Sequence, residues 1–462
     1  DFLDMIDKNT IISLKKEYFL RCESDFATLF SIDVNQISKY ERIISILDFS
    51  ILSLFIGKYT LEKILYVLNN SVFIKNEINL KYIIDFCDKY AEFLDFDSAL
   101  IRSDLLINYD TSYVSNNFNK MYRYRLYSPL ILTIGITDSC NSKCVYCYAG
   151  GDNCLKSYIS FDVLKRIFSE AKKMGIALIN ITGGDPFSHP DIRNILHFLK
   201  ENEIQYFIST KIPLHRELIK SFSSKNYNML QLSLDSAFDE TLKYMTNSEF
   251  KVYDYVKTII FMQERGFDVK INSVATSINI LELPYLTKLL NLNKVKVHQI
   301  SPFLYSNGRF DKTLFPSNEQ YEYLDKFYSN FEGNIFIDYK NPYSINYKFE
   351  NKSAQKCSGG RLGLVIKSNG DVVTCERFVS KQIVVGNIYN STLKEIWNSK
   401  KLEILLKPNK ELFKNSKCYD CDSFNECVID TGLCYARSFY QNGNIFSIDP
   451  YCKKSNSTLK MF

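Results

Sequence analysis

Leu130-Ile131-Leu132-Thr133-Ile134-Gly135-Ile136 is an apolar run of strand length, and it opens onto Ser139-Cys140-Asn141-Ser142-Lys143-Cys144-Val145-Tyr146-Cys147. The run predicts a buried strand whose end delivers a cysteine loop. The spacing Cys-x3-Cys-x2-Cys places the thiolates of Cys140, Cys144 and Cys147 where they can hold one cluster. Four-iron clusters normally take four cysteines, so a triplet leaves one iron for another ligand. Read alone, the Cys-x2-Cys part also suits half a zinc site or a redox pair.

Further strand-like runs follow. Residues 176 to 182 end in Gly183-Gly184-Asp185-Pro186, and two more strand ends carry polar residues, Phe207-Ile208-Ser209-Thr210 and Leu230-Gln231-Leu232-Ser233-Leu234-Asp235-Ser236. Between them, residues 161 to 174 and 191 to 201 space apolar side chains at helical intervals. Strand and helix in alternation imply parallel pairing with crossover helices. In such barrels the chemistry sits at the carboxyl ends of the strands, where these loops converge.

The triplet, with aromatic Tyr146 before its third cysteine, resembles the signature of the radical S-adenosylmethionine (radical SAM) superfamily. The resemblance implies a partial (β/α)6 TIM barrel of the α/β class and S-adenosylmethionine (SAM) chelated to the open iron of a 4Fe-4S cluster. One electron then cleaves SAM to methionine and a 5'-deoxyadenosyl radical. It also implies that Gly183, Gly184, Asp185 and Pro186 hold the SAM amino group, with Asp185 one methylene shorter than the family's usual Glu. Ser209, Thr210, Ser233 and Asp235 would contact the ribose or methionine part.

Seven of the 13 cysteines lie in the last third of the chain. Twelve residues, Gly370 and four more separate Cys357 from Cys375, and then come Cys418-x2-Cys421-x5-Cys427, Cys434 and Cys452. With Gly432-Leu433-Cys434-Tyr435-Ala436-Arg437 and Asp449-Pro450-Tyr451-Cys452, this layout resembles the SPASM domain, which carries two auxiliary iron-sulfur clusters. It departs in having six residues between Cys427 and Cys434, where the family usually has three. The resemblance implies a distal cluster on Cys418, Cys421, Cys427 and Cys452. Cys357, Cys375 and Cys434 would hold a proximal cluster, leaving an iron open to a substrate thiolate. Zinc is the competing reading of these cysteines. A secreted disulfide framework is not expected of a long chain with an odd cysteine count and no amino-terminal signal segment.

A chain of 462 residues, 46% hydrophobic, is expected to form two or three domains. Its net charge of +5 is spread thinly, with no nucleic-acid stripe and no apolar run able to span a bilayer. A cytoplasmic location suits reduced cysteines. Residues 1–105 read as a separate domain: a hairpin over 18–23 and 27–33, then helices over 41–56, 61–69 and 80–94. The hairpin and Phe55-Ile56-Gly57-Lys58-Tyr59-Thr60-Leu61-Glu62-Lys63-Ile64-Leu65 resemble the winged-helix precursor-peptide recognition element of ribosomal peptide maturases, akin to the pyrroloquinoline quinone peptide chaperone. The resemblance implies a leader peptide added to a sheet edge. A DNA-reading winged helix, within an iron-sulfur regulator, is the alternative, but residues 61–69 hold one Lys and one Glu.

The expected organisation is a recognition element over 1–105, a linker over 106–125, the barrel over 126–335 and the SPASM domain over 336–462. The expected activity is a radical SAM maturase that takes a precursor peptide by its leader, draws on an external electron donor, and uses SAM with three 4Fe-4S clusters. The three-cysteine set favours a Cys thioether to an α, β or γ carbon, of sactipeptide or ranthipeptide type. A carbon-carbon side-chain crosslink is the enzymatic alternative, and sulfatase-type oxidation a third. Cys154, just past the triplet, is read as structural or as a neighbour of the radical.

Overall fold

The computed structural model describes residues 6–23, 26–31, 42–72, 74, 77–96, 100–110, 112, 126–149, 157–220, 222, 229–267, 269–304, 306, 309, 311–343, 357–377, 381–428, 434–450 and 452. Cys154, Ile32, Asp33, Gly432, Leu433 and Tyr451 lie outside the described residues. The chain divides into two compact units, Asp1–Tyr127 and Ser128–Phe462.

The first unit holds two small sheets. In one, β1 (Ile11–Leu14) lies between β5 (Ile56–Thr60) and β6 (Leu94–Asp95); in the other, β3 (Ala27–Ser31) lies between β2 (Tyr18–Cys22) and β4 (Arg42–Ile44). The hairpin read from the sequence is the β2–β3 pair, antiparallel from Tyr18 opposite Ser31 to Cys22 opposite Ala27. Helix Leu61–Asn69 starts at Thr60, whose hydroxyl accepts the Lys63 N–H at 3.3 Å, and helix Leu80–Lys89 starts at Asn79. The helix expected over 41–56 is only Ile46–Leu52. Arg42–Ile44 pairs instead with β3, and the Ser45 hydroxyl caps the helix by accepting the Asp48 N–H at 3.0 Å. Short apolar runs do not separate strand from helix, and a serine cap decided the boundary. At the other end Gly57 takes φ +70° inside β5, where a Cβ would meet the Leu100 carbonyl oxygen at 2.1 Å. Cys87 is buried and Cys22 half-buried.

The second unit is built on one ten-stranded sheet. Its parallel part runs β7 (Ile131–Gly135), β8 (Leu178–Thr182), β9 (Tyr206–Thr210), β10 (Met229–Ser233), β11 (Val269–Ala275) and β12 (Val297–Pro302), the six strands expected of a partial barrel. Helix Phe161–Lys173 turns Leu164, Ile167, Phe168 and Ala171 inward, and helix Ile192–Glu201 does so with Ile192, Ile195, Leu196 and Leu199. Both match the expected spans to within a residue. The sheet does not end at residue 335: β13 (Phe336–Tyr339) adds in parallel to β12. On the opposite edge β14 (Gly363–Ile366) adds in parallel to β7, followed by antiparallel β15 (Asp371–Val373) and β16 (Val384–Asn387). Gly363 permits that join, since a Cβ there would come 2.9 Å from the Ile131 carbonyl oxygen. No helix among the described residues is long and apolar enough to cross a membrane.

Candidate functional site

The cysteine loop leaves the carboxyl end of β7 and is strapped down from several sides. The N–H groups of Lys143 and Val145 donate to the Thr246 and Met245 carbonyls, each at 2.9 Å. Arg309 donates its N–H to the Cys147 carbonyl at 2.8 Å and its guanidinium to the Cys144 carbonyl at 3.2 Å. Cys144 and Tyr146 pack in an apolar cluster with Met245, Phe303 and Leu314. These thiols neighbour one another: Cys140 feels Cys147, and Cys144 feels both. Burial pushes the Cys140 thiol up to about 11 and the Cys144 thiol up to about 12.

The Gly-Gly-Asp-Pro loop after β8 lies directly on this one. Gly184 N–H donates to the Thr137 carbonyl at 2.6 Å and Asp185 N–H to the Ser139 carbonyl at 2.8 Å. Gly183 sits at φ +144° with Thr137 O 2.3 Å from any Cβ, and a Cβ on Gly184 would meet Ser139 O at 2.4 Å. Two backbones this close leave room only for glycine. A glycine loop closed this tightly onto the loop of the thiol triplet fits an amino-acid-like ligand on a cluster.

Asp185 is 1% exposed, and its carboxylate is spent inside the protein. Oδ1 accepts the Phe187 N–H at 3.0 Å, capping the turn that starts at Pro186, while Oδ2 accepts the Thr210 hydroxyl at 2.7 Å and the Lys211 N–H at 3.0 Å. Burial nonetheless holds this carboxyl above the usual carboxylate range. Asp235 is likewise engaged. Oδ1 accepts the Val274 N–H at 3.0 Å, and Oδ2 receives the Tyr146 hydroxyl and, at 2.5 Å, the Lys211 ammonium. Its carbonyl accepts from Asn279 at 2.7 Å. Burial lowers the Lys211 pKa, but Asp235 and the neighbouring thiols outweigh that and hold it above its usual value. Lys211 was not among the residues singled out from the sequence. Ser209 and Ser233 are half-buried at the ends of β9 and β10, with no protein hydrogen bond to their hydroxyls among the described residues. Ser233, Asn272 and Gln299 pair across β10, β11 and β12 and therefore face one side of the sheet.

The carboxyl-terminal cysteines fall into two groups. Cys375 feels Cys357 and Cys434, and all three border a cavity of about 60 Å³ with Gly359, Arg361 and Tyr435. Cys418 feels Cys452, Cys427 and Cys421. Arg437 joins the groups, since its guanidinium binds both oxygens of Asp449, at 3.0 and 2.6 Å, while Asp449 O accepts the Cys452 N–H at 2.8 Å. Burial pushes the Cys375 thiol up to about 11. Among the described residues no three His, Cys, Asp or Glu side chains gather round a single metal ion.

The radical SAM superfamily matches residues 134–287 and the iron-sulfur cluster-binding SPASM domain matches residues 357–422. The chain is 24% identical over 323 residues to the antilisterial bacteriocin subtilosin biosynthesis protein AlbA of Bacillus subtilis (68% of this chain, 69% of that protein). It is 22% identical over 347 residues to the AdoMet-dependent heme synthase of Methanosarcina barkeri (70% of this chain, 96% of that protein). Among solved structures, Streptococcus suis SuiB bound to S-adenosylmethionine superposes with a TM-score of 0.65 at 18% identity, covering 96% of this chain and 100% of that one. SuiB bound to its precursor peptide SuiA does so with 0.64 at 17%, with the same coverage.

Proposed function

We propose that this chain, which carries a radical SAM domain and a SPASM domain, matures a ribosomally made precursor peptide by tying a core cysteine through a thioether to an α, β or γ carbon. The observation that carries the reading is the pocket bordered by Cys357, Cys375 and Cys434, which has no fourth cysteine among the described residues. A peptide substrate is supported by the likeness to a bacteriocin biosynthesis protein and to a chain solved with its precursor peptide.

Cys140, Cys144 and Cys147 would hold the SAM-binding cluster. The proximal set Cys357, Cys375 and Cys434 and the distal set Cys418, Cys421, Cys427 and Cys452 would hold two more, giving three 4Fe-4S clusters. When bound, these groups and SAM supply the one-electron chemistry that takes a hydrogen atom from an unactivated carbon, fed by an external low-potential donor. The chain's own residues supply geometry. Gly183 and Gly184 let their loop close onto the cysteine loop, where the ligand would sit, and Ser209 and Ser233, whose hydroxyls have no protein partner among the described residues, would bond to it. Tyr146, Thr210, Asp185 and Asp235 fix those loops against one another through buried bonds, and Pro186 opens the turn that Asp185 caps. Cys357, Cys375 and Cys434 leave the cavity beside them for a substrate thiolate, which is a good ligand for iron. In the first unit, β2 is already met along its outer side by residues 105–107, while β4 is paired only with β3 among the described residues. A leader strand would add at β4.

The test is the reconstituted full chain with SAM, dithionite and its precursor peptide. Forming C–S from C–H and S–H removes about 2 Da and protects one core cysteine from alkylation. A product lighter by the same mass that still alkylates at every cysteine overturns the thioether and points to a carbon-carbon bond.

A further inference from the structure

Lys211 belongs to none of the ligand sets, yet its ammonium stands where the loops that carry them meet. Nζ lies 2.5 Å from Asp235 Oδ2, 2.6 Å from the Tyr146 hydroxyl and 5.2 Å from the Tyr146 ring centre. Its backbone is pinned from two other elements: the N–H donates to Asp185 at 3.0 Å and the carbonyl accepts the Tyr255 hydroxyl at 2.7 Å. The side chain is 15% exposed and that of Asp235 fully buried, so water screens the pair weakly. Tyr146 lies between the second and third cysteines of the triplet, so its contact with Nζ sets the cation beside the loop that carries them.

We propose that Lys211 is the residue that sets the electron affinity of the radical-generating site: its cation stabilises the extra electron on the cluster held by Cys140, Cys144 and Cys147, while its bonds to Asp235 and Tyr146 fix the aromatic ring of the loop. Three thiolates bring negative charge to one place, and a one-electron reduction by dithionite adds another. A cation fixed beside the loop favours that step; the buried Asp235 opposes it. The pair therefore acts as two opposed settings on one potential. At the sequence level a lysine just past a strand end reads as a solvated surface charge, and nothing local marks it otherwise.

The assignment rests on the cysteine loop holding a cluster, not on the crosslink. The experiment is a reductive titration of the reconstituted full chain, following the part of the reduced-cluster paramagnetic resonance signal that changes when SAM is added. The wild-type signal tests the loop itself, so a failure there is distinguishable from a failure of the lysine's role. Lys211→Met should lower the ratio of reduced to oxidised cluster at a fixed potential about tenfold, a fall of about 59 mV for one electron. Asp235→Asn should move the potential upward, and Lys211→Arg should hold it near the wild-type value. Loosened packing would not shift two variants in opposite directions. Potentials unchanged in Lys211→Met, or displaced the same way in Lys211→Met and Asp235→Asn, overturn the proposal.

Discussion

Thr210 and Asp185 are joined by a hydrogen bond of 2.7 Å between the end of β9 and the loop that follows β8. The aspartate thereby satisfies a hydroxyl, two backbone N–H groups and the start of a turn at once. Asp185→Ala would leave those donors buried without an acceptor, at a cost of about 1–3 kcal/mol for each unsatisfied group. We expect a lower apparent melting temperature and weakened SAM binding, with Asp185→Asn milder because it keeps one acceptor oxygen. Calorimetric melting and equilibrium dialysis of SAM check both. An Asp185→Ala chain that melts and binds like wild type would show that these bonds hold neither the fold nor the SAM site.

Gly184→Ala should be worse than its size suggests. The new methyl would lie 2.4 Å from the Ser139 carbonyl oxygen and 2.5 Å from that of Asp138, both main-chain atoms that cannot swing aside. The cysteine loop would have to move. Iron bound per chain should fall by about four atoms while far-ultraviolet circular dichroism stays unchanged.

Iron analysis of cysteine variants separates the two auxiliary groups. Full reconstitution should give about twelve irons per chain. Replacing Cys357, Cys375 and Cys434 by Ala should remove about four, and replacing Cys418, Cys421, Cys427 and Cys452 another four. Zinc recovered in place of that iron would refute the auxiliary clusters.

Cluster loading should depend on pH in a defined direction. In the chain without iron, burial raises the Cys140, Cys144 and Cys375 thiols to about 11, about 12 and about 11, from a usual value of 9.0. Ligation needs thiolates and must release those protons, so reconstitution should run further toward alkaline pH, with proton release visible in a weakly buffered solution. The sign for stability is the reverse. Neutral buried thiols stabilise the iron-free chain fully below pH 9.0, and that contribution is lost as pH rises toward about 12. Melting of the iron-free chain at pH 8 and pH 10 checks the second half.

Removal of the first unit should be made after Tyr127 rather than after residue 105. Leu105 accepts the Leu20 N–H at 3.0 Å and Ile107 donates back to Leu20 at 2.9 Å, so a cut at 105 would leave Ile107 on the shortened chain without the β2 strand it bonds to. The shortened chain should lose leader-peptide affinity by tenfold or more while still cleaving SAM with dithionite. Equal affinity in the two chains would refute docking on this unit.

The short spacings Cys140-x3-Cys144-x2-Cys147 and Cys418-x2-Cys421-x5-Cys427 are written directly in the chain, whereas Cys357, Cys375, Cys434 and Cys452 are scattered and were grouped by resemblance alone. The barrel strands were legible too, since Leu132, Ile134, Ile179, Ile181, Leu230 and Leu232 are buried in short runs bounded by turn residues. What the sequence hid were relations between distant positions. Lys211 meets Asp235 24 residues away and Tyr146 65 residues away, and no local pattern joins them. The same holds for Asp185 and Asp235: their motifs mark where the acids fall, but not that both are consumed by neighbours. In the first unit β1, β5 and β6 are short strands without alternation to reveal them, and the apolar residues around Ser45 fit either periodicity until its hydroxyl is seen capping the helix.

Because β14 is hydrogen-bonded along β7, the strand that carries the triplet is the same strand that anchors the auxiliary region. Ser368, in the turn after β14, binds Asp138 on the cysteine loop itself. The auxiliary half is therefore not a detachable module. A chimera that swaps it between related enzymes cuts through a continuous ladder, and the surgery shows at the opposite end of the same strand. Grafts should keep β7 and β14 from one parent and place their seams in the helices outside the sheet.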